Sequence, residues 1–263
     1  MTSLRVQVGE AAAKKDTDSL QSLFDDHGVQ GLLDSGLSLE EVLAYAALAN
    51  HVPSIRDCLN AGAKITHEIM KNAHIGGGNE AYQLLVPAGL DVNHHFGHAG
   101  GPLTEAVMAG DVAWITFLLQ SGANPNVGAL AGSDALETAI KEKLPLTVVK
   151  LLVDYGAEFP RKGLLPLAVL SGDAGIIEYL LQNGINPNER TDESFTTHGM
   201  QCPVLHIAAE RGQLDTVNTL LRYGADAEAR DSDGKTALEK ASLAGHSITV
   251  NVLKARQTTA SLS

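Results

Sequence analysis

Residues 203–224 read PVLHIAAERGQLDTVNTLLRYG, and the chain repeats the phrase. Residues 236–253 echo it as TALEKASLAGHSITVNVL, and residues 102–122 as PLTEAVMAGDVAWITFLLQSG. Each copy reads as a short helix, a turn and a second helix. The second helix carries apolar residues at i, i+3 and i+4, as in Ile115, Leu118 and Leu119, or Val217, Leu220 and Leu221. That spacing places them in one stripe along a helix. A unit this small cannot bury its stripe alone, so copies must stack on one another.

A common register follows from the first Leu of each first helix and the Gly after each second helix. The anchors are Leu43, Met70, Leu103, Leu136, Leu165, Leu205 and Leu238. The terminal glycines are Gly62, Gly89, Gly122, Gly156, Gly184 and Gly224. Successive anchors lie 27, 33, 33, 29, 40 and 33 residues apart. Three residues after every anchor stands an alanine: Ala46, Ala73, Ala106, Ala139, Ala168, Ala208 and Ala241. A small side chain at that point lets neighbouring helices approach closely.

From about Val8 to Leu253 the chain resembles the ankyrin-repeat family. The motifs that carry the resemblance are Leu205-His206-Ile207-Ala208-Ala209, GANPN at 122–126, GINPN at 184–188 and GADA at 224–227. His206 is the only His at its position in the repeat; Thr104, Glu137 and Glu239 replace it elsewhere. The resemblance implies an all-α ankyrin-repeat solenoid with short hairpin fingers and about seven to eight repeats, degenerate caps included. We expect one domain over 1–263, with a degenerate N-terminal cap at 8–28 and internal repeats over 38–228. A C-terminal cap at 232–255 and a tail at 256–263 complete it. Terminal repeats need polar outer faces because nothing covers them.

Composition narrows the functional classes. The 263 residues are 44% hydrophobic and only 4% aromatic, which suits a folded core of Leu, Ala, Val and Ile. The formal net charge of −12 argues against nucleic acid and anionic membrane surfaces as partners. It is compatible with a basic partner, or simply with solubility. Cys58 falls in an apolar stripe and Cys202 at the end of a loop, four repeats apart, so a disulfide between them is not expected. Without a signal peptide or a membrane-length apolar run, the expected compartment is the cytoplasm or the nucleus.

Departures from the repeat are the best guide to function. Spacings of 27 and 29, around 62–70 and 156–165, predict tight turns, whereas the spacing of 40 predicts an inserted loop at 189–202. That loop, with Phe195 and Met200, is either a tolerated insertion or a lid over the concave face. Five and six residues after the anchors, where ankyrin helices face the groove, stand Leu48/Ala49, Ile75/Gly76, Met108/Ala109, Leu170/Ser171 and Leu243/Ala244. Only Lys141/Glu142 and Glu210/Arg211 are charged there. Such an apolar groove suggests that something covers it. Five of the ten histidines, His67, His74, His94, His95 and His98, fall in adjacent repeats. Imidazoles at this density suit acid–base work near neutral pH, but their spacing matches no metal motif. No cofactor motif is present; Gly76-Gly77-Gly78 lacks the Lys-Ser/Thr of a phosphate loop.

Two functions remain open. One is a protein-interaction scaffold contacting a basic partner, or one presenting an apolar segment, through Phe96, His98, Met108, Phe159, Arg161, Phe195 and Arg211. The other is a small-molecule binder or cofactor-independent enzyme. Leu48, Ile75, Met108 and Leu170 would be its walls, and His74, His95 and His98 its proton carriers. Its chemistry would be a cyclisation, isomerisation or elimination on an apolar metabolite.

Overall fold

The computed structural model describes residues 3–94, 101–128, 133–191 and 201–260. These residues form helices joined by turns, with isolated antiparallel bridges at Arg190/Pro203 and Arg230/Thr236. The helices fall into two compact units, Met1–Gly132 and Ser133–Ser263.

The first unit holds α1 (Leu4–Ala13), α2 (Thr17–Asp34), α3 (Leu39–Leu48) and α4 (Val52–Asn60). It continues with α5 (His67–Gly76), α6 (Asn79–Leu85), α7 (Pro102–Ala109) and α8 (Val112–Gln120). The opening pair is larger than the 8–28 expected from sequence. It bends at Gly28 but runs on to Asp34, and Leu32 is as fully buried as Leu20. The second unit holds α9 (Ala135–Lys141), α10 (Leu146–Asp154), α11 (Leu164–Ser171) and α12 (Ala174–Gln182). It ends with α13 (Val204–Glu210), α14 (Leu214–Arg222), α15 (Ala237–Leu243) and α16 (Ser247–Ala260).

Local chemistry sets the helix boundaries. Carboxylates start several second helices: Asp111 accepts the Trp114 N–H and Asp173 the Ile176 N–H, filling donors left open at a helix start. Ser38 with Glu41, and Thr236 with Glu239, form reciprocal capping boxes on α3 and α15. The six terminal glycines all take φ between 88° and 107°, the left-handed turn after a helix that a side chain would oppose.

Packing follows the repeat. All seven alanines three residues after the anchors are fully buried. Isoleucines, valines and leucines of the second helices are buried beside them, each contributing about 1.5–3 kcal/mol. Polar side chains then stitch the turns. Asn93 Nδ2 donates to the Gly122 carbonyl at 3.0 Å, while its Oδ1 accepts the Asn124 N–H at 2.7 Å. Asn188 does the same in the second unit with Gly224 and Asp226. His206 serves structure in the same way, its Nε2 lying 2.9 Å from the Lys235 carbonyl oxygen.

A close helix contact in the first unit lies at Gly76, where α5 meets the end of α3. A methyl group there would lie 2.5 Å from the Leu48 carbonyl oxygen and 2.8 Å from that of Ala47. Both obstacles are backbone, so relief requires the helices to separate. Gly76→Ala is therefore expected to destabilise this unit by about 1–3 kcal/mol. Urea unfolding followed by fluorescence of Trp114, the chain's only tryptophan, reads the change; an unshifted midpoint would contradict the contact.

Candidate functional site

In the first unit three of the five clustered histidines come together with a carboxylate. His74, near the end of α5, sits with Nδ1 3.3 Å from Oε2 of Glu105 on α7. The rings of His67 and His94 meet edge to face with centroids 5.0 Å apart, and His94 also acts electrostatically on His74. His95 and His98 lie outside the described residues, as do Phe96 and Phe195. Among the described residues no three His, Cys, Asp or Glu are grouped to hold a metal ion.

Burial shapes the pair. It pushes the Glu105 carboxyl from 4.5 up to about 6, and it lowers the His74 imidazole, helped by His94. Both groups are biased toward their neutral forms. Glu105 escaped the sequence reading. The available signal was its register: it stands two residues after one anchor, and His74 stands four after the anchor before it.

A carboxyl whose pKa is higher in the folded than in the unfolded state costs stability when ionised, and the cost disappears as pH falls through the folded pKa. Glu105→Gln is thus expected to stabilise the first unit at pH 7.5 by about 1–2 kcal/mol. The gain should fade toward pH 4.5. His74 acts in the opposite direction, because its lowered pKa favours the unfolded chain as pH drops through the ordinary histidine range. Urea unfolding of the variant and the wild type at both pH values, read on Trp114, isolates the carboxylate; an equal difference at both would refute the assignment.

The apolar groove expected from sequence is broken up. Leu48 is buried beneath α5 and belongs to the core, because the Gly76 contact draws the two helices together. Ile75 and Leu170 are half-buried. Met108 is 60% exposed. Arg211 is exposed at the end of α13 but donates through Nη1 to the Leu170 carbonyl at 2.8 Å, tying it to the preceding repeat.

A cleft of about 620 Å³ opens in the second unit, between the turn before α11 and the turn after α12. The connections beside it differ in length. Residues 155–163 bridge α10 and α11 in nine residues, whereas 183–203 take twenty-one to join α12 to α13. The usual spacing of 33 leaves fourteen, as at 223–236. Phe159 of the short turn stacks on Tyr179 with centroids 5.6 Å apart. Arg161 pairs with Asp134 at 2.5 Å and Glu137 at 3.0 Å, so its charge is met internally. The neighbouring Lys162 is exposed. On the opposite wall Glu189 accepts the Gly163 N–H at 2.6 Å and holds the two turns at a set distance. Burial is the largest influence on that carboxyl and raises its pKa. Arg190 donates to the carbonyls of Gln201 at 2.9 Å and Arg230 at 3.2 Å. Neither Lys162, Glu189 nor Arg190 stood out in the sequence; only the two irregular spacings marked their neighbourhood.

Comparison with known proteins agrees with this architecture. A family model described as ankyrin repeats matches residues 165–261 in three copies. Cyclin-dependent kinase inhibitor 2A of Monodelphis domestica is 29% identical over 59% of this chain and 70% of its own length. Alpha-latrotoxin-Lg1a of Latrodectus geometricus is 33% identical over 46% of this chain, but only 9% of the toxin is covered. SH3 and multiple ankyrin repeat domains protein 2 of Homo sapiens is 30% identical over 60% of the chain, again covering 9% of that protein. Residues 165–261 thus match ankyrin repeats, and the all-α helix pairs and buried alanine register carry the same pattern from Leu43 onward.

Proposed function

We propose that this protein is an interaction adaptor that holds a partner protein against its fingers and the ends of its first helices. Ankyrin repeats generally mediate protein–protein interaction. The observation that carries the reading is a change of environment along the first helices. Val107 on α7 is buried, yet Met108 is 60% exposed; Leu243, at the same register on α15, is 71% exposed. Large apolar side chains held outward at the ends of rigid helices are suited to contact a partner. A relative aligned over 70% of its length is, by its name, an inhibitor of cyclin-dependent kinase, and so acts on another protein. The two cysteines are free buried thiols, in keeping with a reducing compartment such as the cytoplasm or nucleus. Among the described residues no helix is long and apolar enough to cross a membrane.

Proximity labelling in cells, followed by calorimetry on the purified pair, tests this reading. Met108→Ala is expected to weaken the partner by about tenfold, the loss of one buried Met contact. An unchanged Kd for a directly binding partner removes Met108 from the interface, and absence of any direct protein partner overturns the adaptor.

A second reading is favoured by the 3.3 Å contact of His74 with Glu105, which could pass a proton to an apolar metabolite. Native mass spectrometry of protein from its own source is expected, on that reading, to show an adduct of a few hundred daltons that is lost in His74→Ala. A bare polypeptide mass dismisses it.

A further inference from the structure

The turn between α7 and α8 exposes four apolar side chains within six residues. Met108 and Ala109 end α7, and Val112 and Ala113 begin α8. Met108 is 60% exposed, Val112 is 45% exposed, and both alanines stand in solvent. At the same register other repeats place the charged pairs Lys141/Glu142 and Glu210/Arg211. Apolar residues scattered singly over a surface are ordinary, whereas adjacent ones mark a contact. Side chains this exposed cannot enclose a small molecule, so the corner suits a protein. Its charge has one sign. The first unit, Met1–Gly132, holds fourteen Asp and Glu against six Lys and Arg, and between Lys71 and Lys141 the chain has no Lys or Arg. Asp111, inside the corner, accepts the Trp114 N–H at 3.0 Å and the Asn79 Nδ2 at 2.8 Å. Glu80, next to Asn79, accepts the Asn50 Nδ2 at 2.9 Å, and that bond holds its carboxyl below the usual range. These donors are neutral: they fix both carboxylates in place without cancelling their charge. Neither carboxylate pairs with a Lys or Arg among the described residues.

We propose that the α7–α8 corner docks a basic amphipathic segment of a partner protein, with its apolar side chains on Met108 and Val112 and its Lys or Arg toward Asp111 and Glu80. The proposal rests on the adaptor reading and specifies the partner's chemistry. Charge complementarity selects the occupant. At physiological salt, charges further than about 8 Å are largely screened, so what counts is the sign of the groups close to the corner. A cation arriving there meets fixed carboxylates that no Lys or Arg of the same repeat offsets, which speeds encounter and sets register. The same sign repels nucleic acid and anionic membranes, whose phosphates need Lys and Arg. A second copy would bring an identical acidic corner, and an isologous contact would set like charges against each other. The composition also fits, because protein interfaces are enriched in Met and depleted in Lys.

The test is to pan a randomised twelve-residue peptide library against the full chain, then measure the enriched peptides by fluorescence anisotropy. The expected result is enrichment of peptides that combine two or more Lys or Arg with large apolar residues. Their affinity should fall about tenfold or more in Ala109→Arg, which sets a cation in the corner. That variant is the deciding one: Ala109 is exposed, and Arg211 already occupies the same register in a later repeat, so the fold tolerates it, as circular dichroism should confirm. Glu80→Gln keeps an acceptor for Asn50 while removing the charge, and should weaken binding about two- to fivefold. Binding should also weaken as sodium chloride rises from 50 to 500 mM. No enrichment, enrichment of neutral or acidic peptides, or basic peptides indifferent to Ala109→Arg would overturn the proposal. So would an oligolysine lacking apolar residues that binds as tightly as the enriched peptides, or sedimentation showing a dimer that Ala109→Arg dissociates. A partner that still binds Ala109→Arg at full strength leaves the adaptor reading intact and sinks only the corner; failure to find any partner sinks the adaptor reading itself.

Discussion

Neighbouring first helices in each unit pack with small residues buried between them. This constraint produces the seven fully buried alanines and reaches its limit at Gly76, where even a methyl group has no room. Helices that close must bury their backbone flanks, and the polar groups at their ends then need partners. Asp111, Asp173, Ser38 and Thr236 meet that need at helix starts, and Asn93 and Asn188 meet it between turns. The repeat is thus specified twice, by apolar packing and by hydrogen bonding. Little freedom is left in the helices, so variation collects in the turns, whose length the packing does not dictate.

The electrostatics follow the same division. Buried or half-buried charges are paired inside a unit: Lys240 with Asp231 at 3.4 Å, Arg161 with Asp134 and Glu137. Pairing offsets the cost of removing such groups from water. Lys162 and Arg190, on the turns, keep a face to solvent. His74 with Glu105 differs, a half-buried pair in which burial opposes charge on both members. Burial pushes the Glu105 carboxyl up to about 6 and lowers the His74 imidazole.

Much of this was legible in the residues. The anchors, the alanine three positions later and the terminal glycines recur in order, and each is a direct consequence of helix geometry. Two of the three irregular spacings, 29 and 40, pointed to unusual turns where the cleft lies. The apolar groove was misread at Leu48. Counting from an anchor assumes that every repeat is equally spaced from the next, and at Gly76 the helices move closer and enclose that side chain. Arg161 was also read as a free contact, because its acidic partners, Asp134 and Glu137, lie 27 and 24 residues earlier and become neighbours only on stacking.

Local and periodic features are set within a few residues, by propensity, capping and the 3.6-residue turn, so the sequence alone determined the helix pairs, their core stripe and the ankyrin class. Which charges stay available depends on contacts between repeats about thirty residues apart. Glu105 against His74, Glu189 against Gly163 and the cleft between unequal turns were therefore decided only by the tertiary structure, where distance and burial act on groups that the sequence keeps apart.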